Sequence, residues 1–414
     1  KSVIKDVARV LSVPASEANA LTKLIPGNAK SLEDAYRSNL EFSEAINANE
    51  LYQSIYKYSL VLEGLIRQIG IHAAGLVIAP GDLTDYVPLA CSVQKGGDNA
   101  VLVQYEGKWL DDLKMLKMDI LGLKTLTIIK KCVALVRDSH NVEIDIEKIP
   151  LTDKKVFSLL SKGETKGVFQ FESDGMTKYL MDLKPNKFED LIAMVALYRP
   201  GPMRFIDTYI ARKHGREKVR FEHPLVENAL KETYGVTVYQ EQVMQISREM
   251  GGLSGADADT LRKAMGKKQM DLMQKFEQKF YEGASAKGVD QAIFKKIWLE
   301  WLDFAEYAFN KSHATCYALV AYQTAYLKAY YPVEFMAALL SLEDDPGKIP
   351  SLIEVCRSMG IKIIPPNINR SLDEFSVHGK EVLFGLRAIK NLGEAAIEAI
   401  IEDRIAQGAY SNLF

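Results

Sequence analysis

The sequence lacks most of the marks that would assign it to a special class. Its 414 residues hold only four cysteines (Cys91, Cys132, Cys316, Cys356), scattered without CxxC or other metal-type spacing. Such usage fits reduced thiols in a cytoplasm. Long apolar runs are missing too: residues 191–198 form one of the longest, far too short to span a bilayer, so no membrane partner is expected. There is no signal peptide and no initiator methionine. The chain opens Lys1-Ser2-Val3-Ile4-Lys5, already in a helical pattern, and is expected to be a piece of something larger. Excess charge is also absent, since 52 Lys and Arg against 54 Asp and Glu leave −2. A polyanion partner would have to be held by local basic patches rather than by bulk charge.

What remains is an ordinary well-packed composition, 48% hydrophobic and 26% charged, long enough for two or three domains. Residues 1–69 read as helical, with Val3, Val7, Val10 and Leu11 on one stripe and Leu51, Ile55, Tyr58, Leu62, Leu65 and Ile69 on another. Three strands follow, at 74–79, 100–105 and 116–120, as part of one sheet. His72, at the start of this sheet, reads as a satisfied boundary residue. Helices return from 125 to 200 around a strand or extended loop at 167–173. A β-rich run at 234–239 then leads into a helix buried through Val243, Ile246 and Met250. A long helix follows Ser312, read as its N-cap, and ends near Pro332. The end of the chain gives two short strands and two short helices about Gly393.

The stretch Lys114–Leu123 (KMLKMDILGL) is where chemistry is most easily placed. Strand alternation puts Lys117 and Asp119 on one face and Leu116, Met118 and Ile120 on the other, toward a core. Taken alone, these residues read more readily as a surface ion pair. Two basic patches stand out against the neutral whole. Residues 199–220 hold seven cations and two carboxylates, among them Arg199, Arg212 and Lys213. Residues 260–280 hold six cations and two carboxylates, including Arg262, Lys263, Lys267 and Lys268 interrupted by Ala and Gly. Phosphate is the natural partner of the second cluster. Tyr239 and Gln240 lie between the patches, where an aromatic and an amide suit base stacking and edge contacts, or equally a core. Asn310, Lys311, Ser312 and His313 open the long helix, whose N-terminus is a ready anion site.

In order along the chain, HAAGLVIAP, KMDILGLKTL, GVFQFES, LYRPGP, YQEQVMQI, LRKAMGKK and FNKSHATCYALVAYQTAYLKAYYPVEFMAALL resemble the alpha subunit of bacterial DNA polymerase III, the family C replicative polymerases. The resemblance covers the whole chain. It implies an α+β fold, mostly helical, with part of a polymerase-beta-like nucleotidyltransferase palm. It implies a thumb at 1–70, the C-terminal part of the palm at 71–124, fingers at 125–385 and the start of a helix-hairpin-helix region at 386–414. It further implies a DNA-directed DNA polymerase that adds dNTPs to a primer 3′-end. Asp119 would be the third of three catalytic carboxylates holding two Mg²⁺ ions about 3.5–4 Å apart. Lys117, Arg262 and Lys263 would meet the incoming triphosphate. Lys263 stands where that family often has a second arginine, so a point charge replaces a fork-shaped donor. The turn Asn310–His313, with Tyr239 and Gln240, would face the nascent base pair. Arg199, Arg212, Lys213, Lys267 and Lys268 would hold primer–template DNA. The sliding clamp and other replisome subunits would be partners of the larger protein. The paired acidic motif of the palm is not among these 414 residues, so the chain alone is expected to be inactive. The rival readings are a nucleic-acid-binding module without chemistry and a helical interaction scaffold.

Overall fold

Polar side chains start three of the first helices. The Ser31 hydroxyl accepts from the Asp34 amide, and the Asn39 and Asn49 carboxamides accept from Phe42 and Leu51. The computed structural model describes residues 1–27, 29–66, 70–93, 99–266, 269–304 and 308–411, and it divides into two compact units, Lys1–Gly122 and Leu123–Phe414. Among the described residues the fold is mostly helical with small sheets.

The first unit begins with helices Ser2–Val10, Ala15–Lys23, Leu32–Ser38, Leu40–Asn47 and Glu50–Leu62. They bury Ile4, Val7, Ala8, Leu21, Leu32, Phe42, Ile46 and Ile55 together. The two stripes read from the sequence need correction. Val7 and Ile55 are buried as expected and Val3 and Leu11 pack against them, but Val10, Leu51, Tyr58, Leu62 and Leu65 are exposed, and Glu50–Leu62 buries Ser59 beside Ile55. Its packing face joins Ile55, which spacing had grouped, to Tyr52 and Tyr56, which it had not. Ile69 lies outside the described residues.

Two antiparallel ribbons complete this unit. β1 (Gly75–Ile78) pairs with β4 (Leu116–Asp119), and β2 (Leu89–Val93) pairs with β3 (Asn99–Val103). The three strands were expected as part of one sheet. β2 escaped notice because Leu-Ala-Cys-Ser-Val has little of the β-branched and aromatic enrichment that marks strands. Val87, Leu110 and Met115 form a small core beneath. The expected burial of Leu116, Met118 and Ile120 does not occur: they are 56%, 46% and 68% exposed. Register sets Leu76 opposite Met118 and Ile78 opposite Leu116, so the ribbon carries an apolar face that no described residue of this unit covers.

The second unit is built round the helix Lys311–Tyr330. Ala314, Ala318, Ala321 and Ala325 are fully buried on it, and these small side chains let Phe188–Leu197 and Lys154–Ser161 approach closely. A second core gathers Phe280, Phe294, Trp298 and Trp301. There Gly283 meets Gly251, and a Cβ on Gly283 would stand 1.8 Å from the Gly251 carbonyl oxygen, so only glycine fits. A third core joins Lys124–His140 and Pro332–Ser341 to a small sheet of β5 (Lys362–Ile364), β6 (Ser376–His378) and β7 (Glu381–Leu383), in the order β5-β7-β6. Residues 167–173 form turns, not a strand, with Gln170 at φ +63°. Where two short helices about Gly393 were expected, a single 3₁₀ turn, Leu386–Ala388, precedes the glycine and a 14-residue helix, Glu394–Gln407, follows it. No helix among the described residues is long and apolar enough to cross a membrane, and the four cysteines are free thiols.

Candidate functional site

In the first unit, β4 presents Lys117 and Asp119 on one face, as alternation predicts. Lys117 Nζ donates to Asp119 Oδ1 at 2.5 Å. His72 Nδ1 stands 3.8 Å from the same oxygen, so the residue read as a bland boundary histidine belongs to this site. The backbone makes room for it. A Cβ on Gly75 would come within 2.9 Å of His72 Nδ1 and 3.0 Å of Lys117 Cε. The Lys117 hydrogen bond, aided by charge from Lys117 and His72, holds the Asp119 carboxyl below its ordinary value. Asp119 is half exposed and stays an anion at neutral pH.

Asp119 offers one carboxylate, and its Oδ1 already accepts from an ammonium. Among the described residues no group of three or more His, Cys, Asp and Glu side chains is placed to hold a metal ion. Asp119 and its neighbours therefore do not by themselves fit a pair of Mg²⁺ ions.

In the second unit, the segment Tyr239–Gln242 draws several expected site residues together. The Gln242 carboxamide accepts from the amides of Val238 and Tyr239 at 2.8 and 2.9 Å, starting the helix Gln240–Glu249. The Gln240 amide donates to the Phe309 carbonyl at 2.9 Å. Its side chain accepts from Arg262 Nη1 at 3.3 Å and donates to the Ala308 carbonyl at 3.5 Å. Glu241 accepts from Asn310 Nδ2 at 2.7 Å and from the Lys311 amide at 2.9 Å.

The N-cap of the long helix is Asn310, whose side chain accepts from the His313 amide at 2.8 Å; Ser312 sits inside the first turn. The expected anion site there is already occupied by the Glu241 carboxylate, which answers the helix dipole. Lys311 Nζ pairs with Glu232 at 2.7 Å and lies over the Tyr239 ring. Ser312 and His313 are exposed. The His313 ring lies against Tyr317, tilted by 32° with centroids 4.2 Å apart, Phe309 meets His313 edge-on, and the Arg199 guanidinium lies 4.0 Å from the Phe309 ring centre. Partial burial lowers the Arg199 pKa.

Several assignments change on this geometry. Tyr239 is 1% exposed, with its hydroxyl buried, so it underlies the turn and cannot face a base pair. Both ends of the Gln240 side chain are engaged within the protein. Lys213 forms a buried pair with Asp190, and Arg212 is fastened to Glu217 and the Tyr234 carbonyl, which makes both structural rather than phosphate-facing. Arg262 and Lys263 share Asp259, at 2.9 and 2.8 Å, and this lowers the Asp259 pKa, Lys263 contributing most. Lys267 and Lys268 lie outside the described residues. Arg216, Lys218 and Arg220 are exposed, with no ion pair among the described residues. Asp259 was legible as an i,i+3 and i,i+4 partner of Arg262 and Lys263. Glu241 and Glu232 were not, because their partners are about 70 and 79 residues away.

Comparison with known proteins agrees with the earlier resemblance. Residues 1–122 match the family model described as the bacterial DNA polymerase III alpha NTPase domain, and 125–288 match the finger domain of the same subunit. Residues 360–414 match a helix-hairpin-helix motif. The DNA polymerase III subunit alpha of Thermus aquaticus is 47% identical over 422 residues, covering 100% of this chain and 34% of that protein. That of Borreliella burgdorferi is 46% identical, covering 100% of this chain and 36% of that protein. The Aquifex aeolicus protein is 43% identical, with 98% of this chain and 37% of its own length covered. The chain thus spans about a third of the length of the curated relatives it matches, and it belongs to the bacterial DNA polymerase III alpha subunit family.

Proposed function

We propose that the chain is the part of a replicative DNA polymerase that binds the incoming nucleotide and contributes one carboxylate to the reaction centre, within a larger protein that extends a primer from dNTPs. The gathering of Arg199 and His313 against Phe309, and of Arg262 and Asn310 against Gln240 and Glu241, carries this reading. Arg262 and Lys263 supply cations for a triphosphate, and charge-assisted hydrogen bonds suit them to it. His313 and Tyr317 offer ring faces to a base. Lys117 and Asp119 supply an ammonium and a carboxylate on one strand face in the first unit. In this reading residues 1–70 are the thumb, 71–124 the end of the palm and 125–385 the fingers. Phosphoryl transfer is governed by positioning and charge stabilisation. Asp119 would be one ligand of a Mg²⁺ site, an ion that stabilises charge on the phosphates when bound, with the other carboxylates coming from the larger protein. Primer–template DNA, a sliding clamp and other replisome subunits are then partners of the larger protein, in the cytoplasm.

A second reading, nucleic-acid binding without chemistry by this chain alone, is favoured by the exposed Arg216, Lys218 and Arg220. Single-nucleotide incorporation by a polypeptide of the relatives' full length tests the first. Arg262→Ala should lower kcat/KM for dNTPs by about 10- to 100-fold, the worth of a charged hydrogen bond, while the melting temperature stays put. Unchanged kinetics with a large fall in melting temperature would mean that Arg262 only supports the fold.

A further inference from the structure

We infer that Glu241 is a positioning residue for nucleotide binding, clamping the Asn310–His313 turn to the helix whose first residue, Gln240, holds Arg262. This deepens the proposed function and rests on its assignment of Arg262 and the turn to the nucleotide.

The two groups that would meet the nucleotide arrive on separate elements. Arg262 comes from the helix Gly255–Gly266, and Asn310 and His313 come from the start of Lys311–Tyr330. The Gln240-Glu241 dipeptide bridges them. Gln240 touches Arg262 on one side and the carbonyls of Ala308 and Phe309 on the other. Glu241 takes one hydrogen bond from the Asn310 side chain and one from the Lys311 backbone. Asn310 is thereby used at both ends: its nitrogen serves Glu241 and its oxygen caps His313. That fixes its rotamer and, through the cap, the direction in which His313 leaves the helix. Lys311 is also held at two points, its amide by Glu241 and its ammonium by Glu232. A carboxylate suits this place because it accepts two donors at once and answers the helix dipole. An amide could accept with only one of its two ends. Every atom of Glu241 that makes these bonds points into the protein's own scaffold, so its effect on a ligand is exerted through Asn310 and His313. Misplacing a group that binds substrate and transition state alike raises KM and leaves kcat unchanged.

The test is a double-mutant cycle in the full-length protein, read in dNTP KM, kcat, DNA affinity and melting temperature. Glu241→Ala should raise KM roughly tenfold, with kcat and DNA affinity changed less than about twofold. Glu241→Gln should recover part of the loss. The double variant Glu241→Ala/Asn310→Ala should be no worse than Asn310→Ala, since residues acting as a unit are not additive. Hydrogen exchange at the Lys311 and His313 amides should quicken in Glu241→Ala. An unchanged KM in Glu241→Ala, or effects that multiply in the double variant, would overturn the positioning role. An unchanged KM in both Asn310→Ala and Arg262→Ala would overturn the nucleotide assignment itself, and the role with it, even where exchange shows the clamp intact.

Discussion

Lys213 and Asp190 form an ion pair in which the two side chains are 6% and 0% exposed. Lys213 also donates to the Asn186 side chain at 3.1 Å, and Asp190 accepts from the Asn186 amide. A cation that reads as part of a phosphate-binding patch is therefore an internal brace between Phe188–Leu197 and Ile206–Lys213. Removing one partner of such a pair leaves the other charge buried, at about 3–5 kcal/mol. Lys213→Met should lower the denaturation midpoint by a corresponding amount and leave the salt dependence of DNA binding unchanged. A loss of DNA affinity with normal stability would return Lys213 to the surface.

The DNA-facing charge of the 199–220 patch should instead lie in Arg216, Lys218 and Arg220, all exposed. Changing all three to Gln should lessen the slope of log affinity against log salt by up to about 3, near 0.9 per phosphate contact. Titrations of primer–template DNA at several salt concentrations measure it. An unaltered slope would place the DNA elsewhere.

Lys328 gives a pH-dependent prediction. The residue is 2% exposed, and its ammonium donates to the carbonyl oxygens of Glu164 and Lys166 at 2.8 and 2.7 Å. Burial lowers its pKa from 10.5 to about 8. The unfolded chain then keeps the proton between about pH 8 and 10.5 while the folded chain gives it up. Stability from this group therefore rises with pH across that window, by about 3 kcal/mol at most, and its cost is full below pH 8. Tyr322, pushed up to about 12 by burial, opposes this only above pH 10. Denaturation midpoints at pH 7.5, 8.5 and 9.5 should climb relative to those of Lys328→Met. Parallel curves for the two proteins would show that Lys328 titrates normally.

Local periodicity carried what was legible in the sequence. The helix Phe188–Leu197, the buried face Val243–Ile246–Met250 and the Lys117–Asp119 alternation all follow from spacing within one element. What failed needed partners far along the chain. Val10 and Leu62 have core-like spacing but no opposing surface among the described residues of their unit, and Leu116 and Met118 alternate correctly yet stay exposed. At the candidate site the cations were legible, as was Asp259 close in sequence to Arg262 and Lys263, but the distant counter-charges were not. Counting charge in a window cannot tell that Lys213 is buried against Asp190, or that Glu241 already sits at the helix start offered to an anion. The resemblance found the family because motif order does not depend on knowing these pairings.

The Asp119 carboxylate accepts from Lys117, and His72 stands beside it, but no second carboxylate joins it among the described residues of its unit. Two divalent ions about 3.5–4 Å apart need more ligands than one carboxylate provides. The isolated chain should therefore fold and fail to extend a primer with either Mg²⁺ or Mn²⁺, while a polypeptide of the relatives' full length extends it. In that longer protein Asp119→Asn should abolish extension and leave DNA affinity within about twofold, because it removes the charge and keeps the size. Lys117→Met should act differently. It frees the Asp119 oxygen and raises the carboxyl pKa toward its ordinary value, so the loss should appear chiefly in KM for dNTPs. Extension by the isolated chain, or unaltered rates from Asp119→Asn in the full-length protein, would place the reaction centre away from β4.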